Sequence, residues 1–328
     1  MSVLQDSYGR QFQYLRLSVT DVCNFRCVYC LPEGYSKPLN ISDVPLTSRE
    51  IGNLVAASAT LGLWKVRLTG GEPTTRPDLL DIISTVAGTP GIRKVALSTN
   101  GYRLSQMASR LKGAGVDSLN VSVDSVDATR FKAVTGQDRL DDILKGVDAA
   151  LEAGFTSIKV NAVLLKGLNE ADFECFLAWA KRSPLSIRFI ELMRTGQNEE
   201  FFRKHHLSAG ELRLRLLRDG WSINPRGDGD GPAIEFKHPD YRGRIGLIAP
   251  YSKEFCKSCN RLRVSSFGRL RLCLFGESDV SLRPLLQSED QREELVEKIR
   301  EVIEQKPVSH LLHEGVYGNT SNLAAIGG

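Results

Sequence analysis

Up to about residue 195 the chain alternates short β-rich runs with helical patterns. That spacing leaves little room for anything but parallel βαβ units. Strands are expected at 14–19, 65–69, 94–98, 118–123, 157–163 and 186–191. Helices are expected at 48–61, 78–86, 104–113, 140–153 and 170–181, with caps at 45–47 and Asn169. Six such units form either a doubly wound sheet or an open, incomplete barrel. The strand faces bear on the choice. In the first strand Tyr14, Arg16 and Ser18 alternate with leucines; in the second, Lys65, Arg67 and Thr69 alternate with Trp64, Val66 and Leu68. Lys159 and Asn161 repeat the pattern in the fifth. Parallel strands covered on both faces are nearly all apolar. A polar, basic second face suits a barrel whose interior holds a charged ligand, or else edge strands with one wet face.

After Gly196 the pattern breaks into the turn-rich Gly227-Asp228-Gly229-Asp230-Gly231-Pro232, short strand-like runs at 233–237 and 244–248, and an acidic helix at 289–305. The expected architecture is α/β: residues 1–195 as an incomplete (βα)6 TIM-like barrel, closed by a smaller α+β region over 196–328. The net charge is only +4, but eight Lys/Arg against one acid fall between Tyr241 and Phe275, a patch suited to an anionic ligand. Nucleic acid is the competing partner for such a patch, but few aromatics are available there for stacking. No apolar run approaches the ~20 residues of a bilayer span. The N-terminus has no basic patch followed by an apolar stretch, so the expected location is cytoplasmic.

Six of the seven cysteines sit in two clusters, which in such a chain points to metal rather than disulfides. Cys23, Cys27 and Cys30 follow the first strand with C-x3-C-x2-C spacing; Cys256, Cys259 and Cys273 form the second group. Neither offers an obvious fourth ligand nearby. Three thiolates suit an iron–sulfur cluster with one open iron, or a zinc site. Cys175, beside Phe173, Phe176 and Trp179, reads as a small buried hydrophobe. Arg188, on a strand, reads either as a ligand for an anion or as half of an ion pair.

The first triad, with Gly70-Gly71-Glu72-Pro73 downstream, resembles the radical S-adenosylmethionine (SAM) superfamily. Together with C-x2-C-x13-C, the segments Arg16–Asp21, Leu97–Gly101, Asn120–Ser125, Phe189–Met193 and Cys259–Arg263, and the end Ile326-Gly327-Gly328, the chain resembles the GTP 3′,8-cyclase family of molybdenum-cofactor biosynthesis. That resemblance implies a lyase with two [4Fe–4S] clusters and SAM as cofactors. A 5′-deoxyadenosyl radical takes hydrogen from C3′ of GTP, and the resulting carbon radical attacks C8 to give the 3′,8-cyclo-7,8-dihydro nucleotide. It implies Cys23, Cys27 and Cys30 as ligands of the SAM cluster, and Cys256, Cys259 and Cys273 as ligands of the auxiliary one. It implies Tyr29, Gly71, Ser122 and Met193 at SAM, and Arg16, Arg67, Thr99, Lys159, Arg261, Leu262 and Arg263 at GTP. The Gly327-Gly328 tail is expected to reach the active site. An electron donor, a homodimer, and product hand-off to cyclic pyranopterin monophosphate synthase are the implied partners, with no membrane and no nucleic acid.

Overall fold

The computed structural model describes residues 3–36, 44–196, 198–227, 229–276 and 279–317. Its first half runs β1 (Tyr14–Ser18), α1 (Ser48–Thr60), β2 (Lys65–Thr69), α2 (Leu79–Ala87), β3 (Lys94–Thr99), α3 (Leu104–Gly113), β4 (Ser118–Ser122), α4 (Ala128–Thr135), α5 (Leu140–Glu152), β5 (Ile158–Leu164), α6 (Phe173–Arg182) and β6 (Ser186–Glu191). These six strands pair in parallel and in sequence order. The remainder adds α7 (Glu199–His205), α8 (Ala209–Arg218), β7 (Ser222–Asn224), β8 (Ile234–Lys237), β9 (Arg244–Ile248), β10 (Arg261–Val264), β11 (Arg269–Arg271), β12 (Val280–Ser281) and α9 (Arg292–Glu304).

The later strands do not form a sheet of their own. β9 pairs in parallel with β6, and β10 in parallel with β1, so one open sheet runs β12-β11-β10-β1-β2-β3-β4-β5-β6-β9-β8-β7. The helical layer packs on its outer face, where Leu15, Leu17, Val66, Leu68, Val160 and Phe189 are fully buried. Burying that apolar surface at about 25 cal/mol per Å² is the main stabilising term. α1 shows how local sequence sets an element. Thr47 caps it and Glu50 bonds back, a capping box. Glu50 also pairs with Arg283 at 2.9 Å, tying the helix to the C-terminal segment.

Three short helices, α4, α7 and α8, were not anticipated. α4 is eight residues with Thr129, Val134 and Thr135 among them, a weak helical signal. Cys175 corrects an expectation: it is exposed on α6, because the buried stripe of that helix is Phe173, Phe176, Leu177 and Ala180.

Candidate active site

The inner face of the sheet encloses a cavity of about 2100 Å³, its open mouth included. The loops after β1, β2, β3, β4 and β6 reach it from the C-terminal ends of the parallel strands, the functional end of parallel barrels.

All six clustered cysteines line this cavity. The first loop is held by backbone hydrogen bonds from Arg26 N–H to Thr135 O (3.2 Å) and from Val28 N–H to Val134 O (3.0 Å), both at the end of α4. Tyr29 lines the cavity and donates its hydroxyl to Asp124 Oδ2 at 2.8 Å. Burial pushes the Cys23 thiol up to about 11, and burial with Asp124 nearby raises Cys27 well above the ordinary thiol value. The second triad lies in a different field. Burial pushes Cys259 up, but the charges of Arg261 and Lys306 outweigh it and bring the thiol down to about 6. Among the described residues no three His, Cys, Asp or Glu converge on one point as a single-ion site. Three thiols from one triad suit an iron–sulfur cluster in which each thiolate takes one iron.

Gly70 and Gly71 show why this turn is glycine. A Cβ on Gly70, at φ +155°, would lie 2.2 Å from Thr20 O, and one on Gly71 2.3 Å from Val22 O. Two loops therefore meet backbone to backbone beside the cysteines. Glu72 completes the joint. It is fully buried and accepts from Thr99 Oγ1 (2.7 Å) and Asn100 N–H (2.6 Å).

The strand register stacks cations side by side. Arg263, Arg16 and Arg67 are direct neighbours across β10, β1 and β2, and Arg261, Tyr14 and Lys65 form the adjoining row. Like charges opposite one another destabilise a sheet unless something offsets them. Burial lowers Arg16 to about 9 and Arg263 to about 10, with Arg263 and Arg261 respectively as the next cause. Burial, then Arg188 and Arg67, bring Lys159 down to about 6. Burial would raise Tyr14, but Arg67, Arg16 and Lys65 pull it to about 7, and its hydroxyl accepts from Arg67 Nε. Among the described residues neither Arg67 nor Lys159 has a carboxylate partner. Buried Arg263 Nη1, Asn120 Oδ1 and Asn161 Oδ1 find no hydrogen-bond partner there either. A cavity lined by these basic side chains, with Arg263 Nη1 left to donate, suits a polyanion.

Gly71, Ser122, Met193, Arg16, Arg67, Thr99, Lys159, Arg261 and Arg263 line the cavity. Thr99 does so with its hydroxyl already committed to Glu72. Strand alternation turns the Leu262 side chain to the outer face, where it is buried in the core, so only its backbone is presented toward the cavity side of the sheet. The Gly327-Gly328 tail lies outside the described residues. Arg188 is half of a buried ion pair with Glu235 and also faces the cavity. Lys65 and Asn161, placed on the polar strand face by the sequence but given no ligand, face it too, as does Asn120. The basic 241–275 stretch is divided. Arg261 and Arg263 point inward, while Lys257 pairs with Glu254 and Arg271 with Asp279.

A Radical SAM superfamily profile matches residues 17–180, and a Molybdenum Cofactor Synthesis C profile matches 185–312. A GTP 3′,8-cyclase from Aeromonas hydrophila is 53% identical over 100% of this chain and 97% of its own. One from Yersinia pestis is 51% identical over 100% of both chains. This chain belongs to the GTP 3′,8-cyclase family of radical SAM proteins. A crystal structure of Streptococcus suis SuiB bound to S-adenosylmethionine overlays with a TM-score of 0.63 at 14% identity, covering 88% of this chain and 68% of that one. The Carboxydothermus hydrogenoformans hydrogenase maturase HydG overlays at 0.51 and 19% identity, covering 65% and 52%. Both likenesses are of fold. No helix among the described residues is long and apolar enough to cross a membrane.

Proposed function

We infer that this chain is a GTP 3′,8-cyclase, joining C3′ of the ribose to C8 of guanine in the first step of molybdenum-cofactor biosynthesis. The observation that carries the reading is the coincidence, in one cavity, of two cysteine triads and in-register cation rows suited to a triphosphate. Full-length relatives of that name support it.

SAM at a reduced [4Fe–4S] cluster supplies a hydrogen-abstracting radical when bound. Cys23, Cys27 and Cys30 hold that cluster, and Cys256, Cys259 and Cys273 hold a second. Tyr29, Ser122 and Met193 surround SAM, and Gly71 lets the backbone approach it closely. Arg16, Arg67, Lys159, Arg261 and Arg263 hold the nucleotide, the forked arginines matching phosphate oxygens. Lys65 and Arg188 extend this cationic wall. Forming the C3′–C8 bond leaves N7 short of one electron and one proton in the 7,8-dihydro product. An external one-electron donor therefore takes part. By family resemblance the enzyme is a cytoplasmic homodimer, and its product passes to cyclic pyranopterin monophosphate synthase.

The test is anaerobic incubation of reconstituted protein with SAM, GTP and a reductant, followed by mass analysis. A cyclised nucleotide formed with 5′-deoxyadenosine and methionine is expected. SAM cleavage without change in GTP would overturn the substrate assignment. Lys159→Ala and Arg263→Ala are expected to weaken GTP binding and leave SAM binding intact.

A further inference from the structure

We propose that Lys306 is the charge partner of the second cysteine triad, a positioning residue that holds the auxiliary cluster and sets its reduction potential. This rests on the reading of that triad as a cluster site. Lys306 is 4% exposed and lines the cavity with Cys256, Cys259 and Cys273. Its Nζ donates to the carbonyl of Leu272, the residue before Cys273, and lies 5.6 Å from the centre of the Phe12 ring. No carboxylate among the described residues pairs with it. A buried ammonium without a carboxylate is expensive unless another anion is beside it. The groups that share its wall of the cavity are the three thiols, and the carbonyl it holds belongs to the neighbour of one of them; as cluster ligands those thiols would be thiolates.

The neighbourhood is organised for the same purpose. His310 N–H donates to Cys256 Sγ at 3.5 Å, and Arg261 Nη2 to Cys259 Sγ at 3.9 Å. Arg10, locked to Asp6 at 2.7 Å, donates to the carbonyls of Pro307 (2.6 Å) and Val308 (2.8 Å), fixing the strand of chain that carries both Lys306 and His310. Among the described residues the charged side chains acting on Cys23 and Cys27 are instead the carboxylates of Glu72 and Asp124. A cluster bound by three thiolates is anionic and gains a further negative charge on reduction. Net charge and hydrogen bonds to sulfur tune such potentials. Removing the ammonium disfavours the reduced form of the second cluster.

The experiment is EPR-monitored redox titration of reconstituted Lys306→Met and Lys306→Arg, with iron and sulfide counted first. In K306M the reduced-to-oxidised ratio of the second cluster, read at the parent midpoint, is expected to fall about tenfold, a shift of about 59 mV for one electron. K306R is expected to titrate near the parent, and the first cluster to stay unmoved in both as an internal reference. Loss of the second cluster from K306M alone, with K306R full, also supports the charge requirement. An unmoved second cluster, an equal shift of both clusters, or loss from both variants overturns it. A parent with only one cluster instead sinks the reading of the second triad.

Discussion

Replacing Glu235 by glutamine perturbs the cationic wall from behind. Arg188 and Glu235 are in contact, with side chains 8% and 17% exposed, and Ser186 Oγ donates to the same carboxylate oxygen at 2.9 Å. Breaking a buried ion pair by removing one charge costs about 3–5 kcal/mol. Glutamine keeps the shape and one acceptor, which places the cost at about 3 kcal/mol. At about 2.1 cal/mol/K per residue, a 328-residue chain melts with an entropy of about 0.7 kcal/mol/K. The melting temperature should therefore drop by about 4 °C. GTP then discriminates. Arg188 faces the cavity, so in E235Q a triphosphate offers the missing anion, and added GTP should raise the variant's melting temperature by more than the parent's. The pH dependence has a definite sign. Burial pushes the Glu235 carboxyl up, but Arg188 holds it below the usual carboxylate range. Its stabilisation is thus present above the unfolded pKa and lost as pH falls through the lower folded value. The gap between parent and variant should persist at neutral pH and close only in acid. Anaerobic calorimetry with and without GTP reads all three effects. A variant that melts with the parent and gains no more from GTP would refute the reasoning.

Two further outcomes follow from the same cavity. Lys159, at about 6 in the empty site, is neutral at pH 7.5, and a bound triphosphate restores its proton. GTP binding should therefore take up protons and weaken as pH rises above 6, read by calorimetry in two buffers of different ionisation enthalpy; identical heats would contradict it. Gly71→Ala puts a methyl 2.3 Å from Val22 O and 2.6 Å from Asp21 O, contacts that backbone cannot yield cheaply. The first cluster should lose occupancy and SAM binding should fall at least tenfold while GTP binding persists, checked by iron content and equilibrium dialysis.

The six-fold strand–helix alternation and the polar strand face were legible because both rest on short-range periodicity. Strands 65–69 and 186–191 and helix 104–113 match β2, β6 and α3 residue for residue. The family resemblance names Arg261-Leu262-Arg263 as one segment, and strand alternation turns the Leu262 side chain away from the cavity. Cys175 sat among aromatics in sequence but not on their helical stripe. The pairing of β10 with β1 and of β9 with β6 left no local trace, since each joins residues far apart along the chain. For the same reason His310 and Lys306 gave no hint that they would meet the second triad.

The sheet's outer flanks have a temporal consequence. During synthesis β1 leaves the ribosome with one edge bare, and Leu15 must wait for Leu262 before that edge is covered. Loop closure over such a span is slow, and unpaired strand edges invite aggregation. The cavity, lined by cysteines from both ends of the chain, is complete only after translation has finished, when the last third has clasped both ends of the six-strand core.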